Sequence, residues 1–197
     1  MSKVITAHAV SVDGYITGRD PGAGRGLGDG GVLFDWYSSG NTPSSIFEGF
    51  RLSESSARVF GALAARVGAT VAGRNTYDDS DSFGGGSPHP NAPLVVLSHR
   101  PVPELGDRQT LVTTGIADAI AAARELAGDK DVALMGGGVV TDALTAGLVD
   151  EVVLHQVPVL LGGGRPFFRS LPEHVRLRLV EALPAPGVTH LHYAIER

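Results

Sequence analysis

Two hydrophobic periods alternate along this chain. Residues 3–10 are rich in β-branched side chains and lead to Asp13-Gly14, a turn-forming dipeptide, which predicts a first strand and a tight reversal from which Tyr15 and Ile16 emerge. Between Ser53 and Val67 the apolar residues Phe60, Leu63, Ala64 and Val67 recur at helical spacing behind Ser and Glu suited to a helix start. That helix feeds a predicted strand over 69–72. Further on, 94–97 reads as a strand, Ile116, Ile120, Ala123 and Ala127 mark a helix, 132–135 a strand, 139–148 a helix and 151–157 a strand. The C-terminal part changes rhythm: 175–182 and 188–195 alternate as strands around Pro184-Ala185-Pro186-Gly187, a hairpin signal. The expected fold is therefore α/β, with a mostly parallel but mixed sheet. Two stretches read as long loops. One is 18–31, with seven glycines in fourteen residues, a solvated and mobile connector or a lid over a ligand; the other is 78–91.

Composition narrows the class. At 197 residues, 43% hydrophobic and 19% charged, the chain suits one compact domain over 1–197. A formal net charge of -5 gives no general attraction to nucleic acid or anionic membranes, so an anionic ligand has to be caught by a local cluster. The absence of cysteine excludes disulfides and thiolate metal sites, and no apolar run approaches the roughly 20 residues that span a bilayer. The first twenty residues lack the charged and apolar regions of a signal peptide. A cytoplasmic enzyme or binding protein is expected. His190 and His192 share one face of the last predicted strand, but no supporting ligand spacing accompanies them, and no metal site is expected.

Candidate chemistry gathers at three strand ends. In open α/β sheets, ligands bind beyond the carboxyl ends of the strands, where loops and helix N-termini present unpaired N–H groups. The first end is Gly73-Arg74-Asn75-Thr76, the second Ser98-His99-Arg100 and the third Gly136-Gly137-Gly138 before Val139. The glycine triplet would let backbone approach a pyrophosphate and would equally serve a plain strand-to-helix turn. Arg74 and Arg100 are either surface charges or, if their strands are neighbours, a clamp for a phosphate monoester, with Thr76 and Ser98 as hydroxyl donors. A full dinucleotide fingerprint is missing. The triplet lacks the last glycine, and Asp150 and Glu151 lie at the beginning of the following strand rather than at its end, so NAD is disfavoured against NADPH.

The ordered set SVDGYITG (11–18), VAGRNTYD (71–78), VVLSHR (95–100), LMGGG (134–138) and DEVVLHQVPVLLGGGRPFF (150–168) is similar to the dihydrofolate-reductase-like family, including the C-terminal reductase domain of the bacterial riboflavin deaminase-reductase. The resemblance extends over nearly the whole chain. It implies a three-layer fold with a central, mostly parallel sheet and an antiparallel C-terminal hairpin, binding NADPH across the strand ends and reducing a small pteridine, pyrimidine-like or carbonyl substrate. By motif match, Gly73, Arg74, Asn75 and Thr76 would serve the adenosine and phosphate region, Ser98 and Arg100 the 2′-phosphate, and Gly136, Gly137, Gly138 and Val139 the pyrophosphate. Ala7 and Ile16 would line the nicotinamide and substrate cleft, and His155 resembles a substrate-facing position, although a histidine half buried in a strand is more often merely packed or hydrogen-bonded.

Asp13 belongs to the family's Asp-Gly turn and is the candidate catalytic residue. Dihydrofolate reductases proper carry an acidic residue on the helix after the first loop, a place where this chain offers Glu48 and Glu54 without a fixing motif. The resemblance also implies a homodimer, to which Leu177, Leu179 and the Phe167-Phe168 pair would contribute an apolar surface, although the two phenylalanines could equally be core. Two other readings keep the fold: a reduced flavin or deazaflavin in place of NADPH, and a nucleotide-binding protein without catalysis.

Overall fold

In the computed structural model, which describes residues 2–102 and 104–196, the segments with strand periodicity assemble into one eight-stranded sheet. Its strands are β1 (Val4–Ser11), β4 (Val67–Gly73), β5 (Leu94–Leu97), β6 (Gln109–Val112), β7 (Asp131–Met135), β8 (Glu151–Val157), β9 (Leu177–Ala185) and β10 (Val188–Ile195), in the order β6-β5-β4-β7-β1-β8-β10-β9. The six strands from β6 to β8 are mutually parallel, whereas β10 runs antiparallel to both β8 and β9. The mixed sheet and its C-terminal hairpin are as expected. A small separate ladder joins β2 (Thr42–Pro43) and β3 (Arg51–Leu52).

Helices cover both faces, which explains why the central strands are apolar on both sides. α3 (Ile116–Ala127) and α4 (Gly137–Thr145) pack Ile120, Ala123, Val140 and Ala143 onto Val4, Val71 and Leu134. On the opposite face, α1 (Glu54–Arg66) starts at Ser53, whose hydroxyl accepts from the Ser56 N–H at 3.2 Å, and it places Phe60 beside Trp36 and Tyr37. α2 (Arg74–Asp79) follows directly on β4 and buries Tyr77.

The glycine-rich segment departs from expectation, because it is fastened to the rest of the chain. Its C-terminal part opens a 3-10 helix, Gly28–Ser38, whose buried residues Gly30, Leu33 and Trp36 repeat every third position, the period of that helix and of no pattern sought in the sequence. A Cβ on Gly30 would lie 2.2 Å from the Gly18 nitrogen, so these glycines permit two backbones to touch. Arg19 N–H donates to Asp29 and Gly24 N–H to Asp81, at 2.6 and 2.8 Å. Within 78–91 the chain completes α2 and then forms a 3-10 turn, Asp81–Gly85, with Asp81, Ser82 and Phe83 at positive φ. β6 was not expected. Its one deeply buried polar side chain, Gln109, breaks the apolar run, but its amide accepts from Tyr77 Oη at 3.0 Å and donates to the Ser82 and Gly86 carbonyls. The hairpin reverses at Pro186-Gly187, inside the expected signal, with Gly187 at a φ of +74°, and β9 runs on to Ala185, three residues past the expected strand end.

At the end of the sheet where β1, β7 and β8 begin, acidic and basic side chains interlock. Asp131 accepts from the Lys3 N–H and from Arg66 Nε, and Glu151 is paired with Lys3, Arg66 and His192. This is where the structure places Glu151, with Asp150 beside it holding the Val4 N–H at 2.9 Å. Burial alone would raise the Glu151 carboxyl pKa, yet hydrogen bonds from Lys3 and Arg66 outweigh it and hold the group below its usual value. Its stabilising contribution is accordingly complete above the ordinary carboxylate pKa and disappears as pH falls through the lowered one. Glu151→Ala is expected to cost roughly 2–3 kcal/mol at neutral pH, discounted for the partial exposure of its partners, and less under strongly acidic conditions. Denaturant unfolding at both pH values checks this; an equal cost at the two would remove charge pairing as the cause.

Candidate functional site

Beyond the carboxyl ends of parallel strands, loops and helix N-termini present unpaired backbone groups, and at this end β1, β4, β5, β7 and β8 contribute to a cleft of about 580 Å3. Every residue expected to bind cofactor or substrate lines it: Ala7 and Ile16 from β1 and its turn, Gly73 to Thr76 after β4, Ser98 and Arg100 after β5, Gly136 to Val139 after β7, and His155 in β8. The three strand ends are brought together because β4 pairs with both β5 and β7.

Gly136 is the tightest point. It holds a φ of +96°, and a Cβ there would lie 2.1 Å from Thr76 Oγ1; one on Gly137 would lie 2.5 Å from the Pro166 carbonyl oxygen. The Gly136 N–H donates to His8 Nε2 at 2.9 Å, so Nδ1 carries the imidazole proton and meets Thr6 Oγ1 at 3.2 Å, while the Thr6 hydroxyl donates to the Leu134 carbonyl. Burial lowers the His8 pKa to about 4, which keeps the ring neutral and able to accept. The first turn of α4 therefore begins at a fixed place, with helix-terminal N–H groups that have no partner within the helix. The Arg169 guanidinium lies over it, 3.2 Å from the place a Gly138 Cβ would take.

The second basic corner is arranged differently from the simple clamp expected. Arg74 Nε binds Asp78 Oδ1 at 2.7 Å and an Arg74 terminal N–H donates to the Pro101 carbonyl, while Arg100 approaches the other Asp78 oxygen at 3.7 Å. One carboxylate thus already lies between the two guanidinium groups. Arg74 is committed to it, and Arg100, with a 65% exposed side chain, is held loosely. Ser98 is buried, and its hydroxyl hydrogen is spent on the Arg100 carbonyl at 2.8 Å, shaping the turn. Asn75 is exposed on α2.

Asp13 is not among the lining residues. Its carboxylate accepts from Ser11 Oγ at 2.6 Å and from the Leu161 and Gly162 N–H groups at 3.1 and 2.7 Å, and these bonds, the one from Ser11 first, hold its pKa below the usual value. Such a group fastens the first turn to the segment after β8. Glu48 and Glu54 are exposed and also lie outside the lining. Phe167 is fully buried against His8, whereas Phe168, Leu177 and Leu179 are exposed.

Several lining groups were not singled out from the sequence. Phe34, Tyr37 and Phe60 form an aromatic wall on the α1 side, opposite the basic corners. Arg165 pairs with the buried Asp79 at 3.0 Å and its backbone N–H binds Thr17 Oγ1, which ties together the first loop, α2 and the GGGRPFF segment. Arg169 follows that segment directly, and the basic residues at 165 and 169 on either side of Pro166-Phe167-Phe168 were the available signal.

Comparison with known proteins agrees with this architecture. The RibD C-terminal domain model matches residues 2–191. A Shewanella sp. PV-4 protein described as a riboflavin biosynthesis protein superposes with a TM-score of 0.71 at 30% identity, covering 99% of both chains. Acinetobacter baumannii RibD gives 0.61 at 17% identity, this chain spanning 58% of its length, and dihydrofolate reductase from Enterococcus faecalis, in complex with NADP(H), gives 0.60 at 15% identity over 99% of this chain and 97% of that one. These last two similarities establish the fold, and the dihydrofolate-reductase-like three-layer architecture is thereby shown. With the match to its model covering almost the entire sequence, the chain belongs to the RibD C-terminal domain family.

Proposed function

We propose that the protein is an NADPH-dependent reductase that transfers a hydride to a small, planar pyrimidine-like, pteridine-like or carbonyl substrate. The observation that carries the proposal is the joining, in one cleft, of a glycine-lined helix N-terminus, two basic corners and an aromatic wall. The residues present fit the cofactor. Gly136, Gly137, Gly138 and Val139 with Arg169 would hold the pyrophosphate; Gly73, Arg74, Asn75 and Thr76 the adenosine side; and Ser98 and Arg100 the 2′-phosphate. NADPH, when bound, supplies a hydride from C4 of its nicotinamide.

The chain's own part is binding, orientation and exclusion of water. Ala7 and Ile16 border the cleft between the phosphate-binding end and the aromatic wall, where a flat ring would be held against Phe34, Tyr37 and Phe60. Among the described residues no carboxylate lines the α1 side of the cleft; those that line it, Asp79 and Asp142, belong to α2 and α4. Asp13 serves as an anchor for the turn. On the exposed face of β9, Leu177, Leu179 and Val180 would meet a second copy of the chain, and a monomeric mass by light scattering would contradict that part of the reading.

Fluorescence titrations with NADPH and NADH test the cofactor assignment. Arg100→Ala is expected to weaken NADPH roughly tenfold and leave NADH nearly unchanged, since the extra phosphate alone distinguishes the two. Asp78→Asn, which removes the negative charge that competes for both guanidinium groups, is expected to tighten NADPH; weaker binding would place the phosphate elsewhere. Gly136→Ala forces a Cβ onto Thr76 and strains the backbone, so it should weaken both nucleotides alike and cost about 1–3 kcal/mol of stability. For turnover, substrate-dependent loss of nicotinamide absorbance across a panel of pteridines, pyrimidines and carbonyl compounds is the expected result. Nucleotide binding with no turnover across the panel would favour a binding protein.

A further inference from the structure

His155 on β8, His190 on β10 and Ser56 on α1 form a buried polar chain that opens onto the cleft. His155 and His190 face one another in the β8–β10 register, and their Nδ1 atoms are 2.8 Å apart; His190 Nε2 lies 2.9 Å from Ser56 Oγ. All three residues are buried, at 2%, 2% and 0% exposure. At the other end, His155 Nε2 is buried without a hydrogen-bond partner, although the residue lines the cleft. Nε2 is on the ring edge opposite the bond to His190, so it faces away from β10. Trp36 and Phe60, with ring centroids 5.1 and 5.8 Å from the imidazole, enclose it.

A contact of 2.8 Å between two Nδ1 atoms requires one to donate and the other to accept. Two neutral arrangements satisfy it, and Ser56 chooses between them. Its hydroxyl has His190 Nε2 as its partner among the side-chain hydrogen bonds of the described residues. If Ser56 donates to His190 Nε2, the His190 proton resides on Nδ1 and is given to His155 Nδ1, leaving the His155 proton on Nε2. The reverse arrangement would leave two buried groups unpaired, the Ser56 hydroxyl hydrogen and the His155 Nε2 lone pair, where the first leaves only the His155 Nε2–H, which lines the cleft side. Burial pushes His155 to about 3 and His190 to about 4, in keeping with two neutral rings.

We propose that Ser56 and His190 are positioning residues that fix His155 in its Nε2–H tautomer, so that the substrate end of the cleft presents a directed N–H donor and selects a neutral ligand with an accepting edge, a carbonyl oxygen or unprotonated ring nitrogen. The assignment rests on the reductase reading for the place of the substrate, but not for the tautomer. It makes the substrate end complementary to lone pairs, where a carboxylate there would instead demand a ligand offering N–H groups.

Long-range 1H–15N NMR of the imidazoles in the ligand-free protein reads the tautomers directly. Expected are a protonated Nε2 on His155 and a protonated Nδ1 on His190; an unprotonated His155 Nε2 overturns the assignment. In Ser56→Ala the opposite pair of tautomers should become populated without a change in backbone dispersion. If that variant fails to fold, the wild-type spectrum still decides. With NADP+ present, uracil at millimolar concentration serves as the accepting probe. It should move the His155 Nε2–H signal, and His155→Phe should weaken its binding about tenfold. A His155 signal unmoved by uracil overturns the donor role. Backbone signals unmoved by NADP+ would contradict the cofactor reading instead, leaving the tautomer result standing.

Discussion

The geometry of the cleft depends on the close approach of two backbones at Gly136. α4 can begin there because the chain leaves β7 at a positive φ with no side chain in the way, and Thr76 occupies the space a Cβ would need. His8 reinforces the turn from the neighbouring central strand by accepting the Gly136 N–H. The strain of the turn is offset by packing of α4 on the sheet through Val139, Val140 and Ala143. The proposed phosphate site depends on the same constraint, because the first residues of α4, Gly137 to Val139, thereby line the cleft together with those at the ends of β4 and β5.

Charge is divided between the two ends of the sheet. Where β1, β7 and β8 begin, Asp131 and Glu151 are matched by Lys3 and Arg66, and the network joins α1 to the sheet. At the opposite end, Arg74, Arg100, Arg165 and Arg169 line a cleft, and two carboxylates engage three of them, Asp79 from within the lining and Asp78 from beside it. A net-acidic chain thereby offers a basic site, which overall charge could not have revealed. Asp78 holds the two arginines of one corner in place, and it also competes with any phosphate that binds there.

Most of the fold was legible because its signals were regular. The strands at 94–97, 132–135 and 151–157 are apolar runs bounded by polar or turn residues, and the helix at 116–127 carries its apolar side chains at helical spacing; all occur as expected, with small shifts at their ends. What escaped had irregular or unfamiliar periods: the three-residue repeat of Gly30, Leu33 and Trp36, and β6 with its buried Gln109. The residues expected to line the site do so because motifs at strand ends inherit their positions from the sheet. Asp13 shows the limit of that reasoning. An acidic residue in a turn near a cleft is close in sequence to the site, but its hydrogen bonds, which decide its role, come from residues 161 and 162. His190 and Ser56 were obscured for the same reason: 134 residues separate them, and only the folded chain joins them to His155.

The proposed cofactor site requires a dinucleotide phosphate to be held between the start of α4 and the arginine corners. Thermal unfolding with excess NADPH, with excess NADH and without ligand tests this most directly. At ~100 times its dissociation constant a ligand adds about 2.7 kcal/mol, worth several degrees for a chain of this size. A clear rise with NADPH and a smaller one with NADH at equal concentration is the predicted result; an unfolding temperature unchanged by either nucleotide would contradict the account.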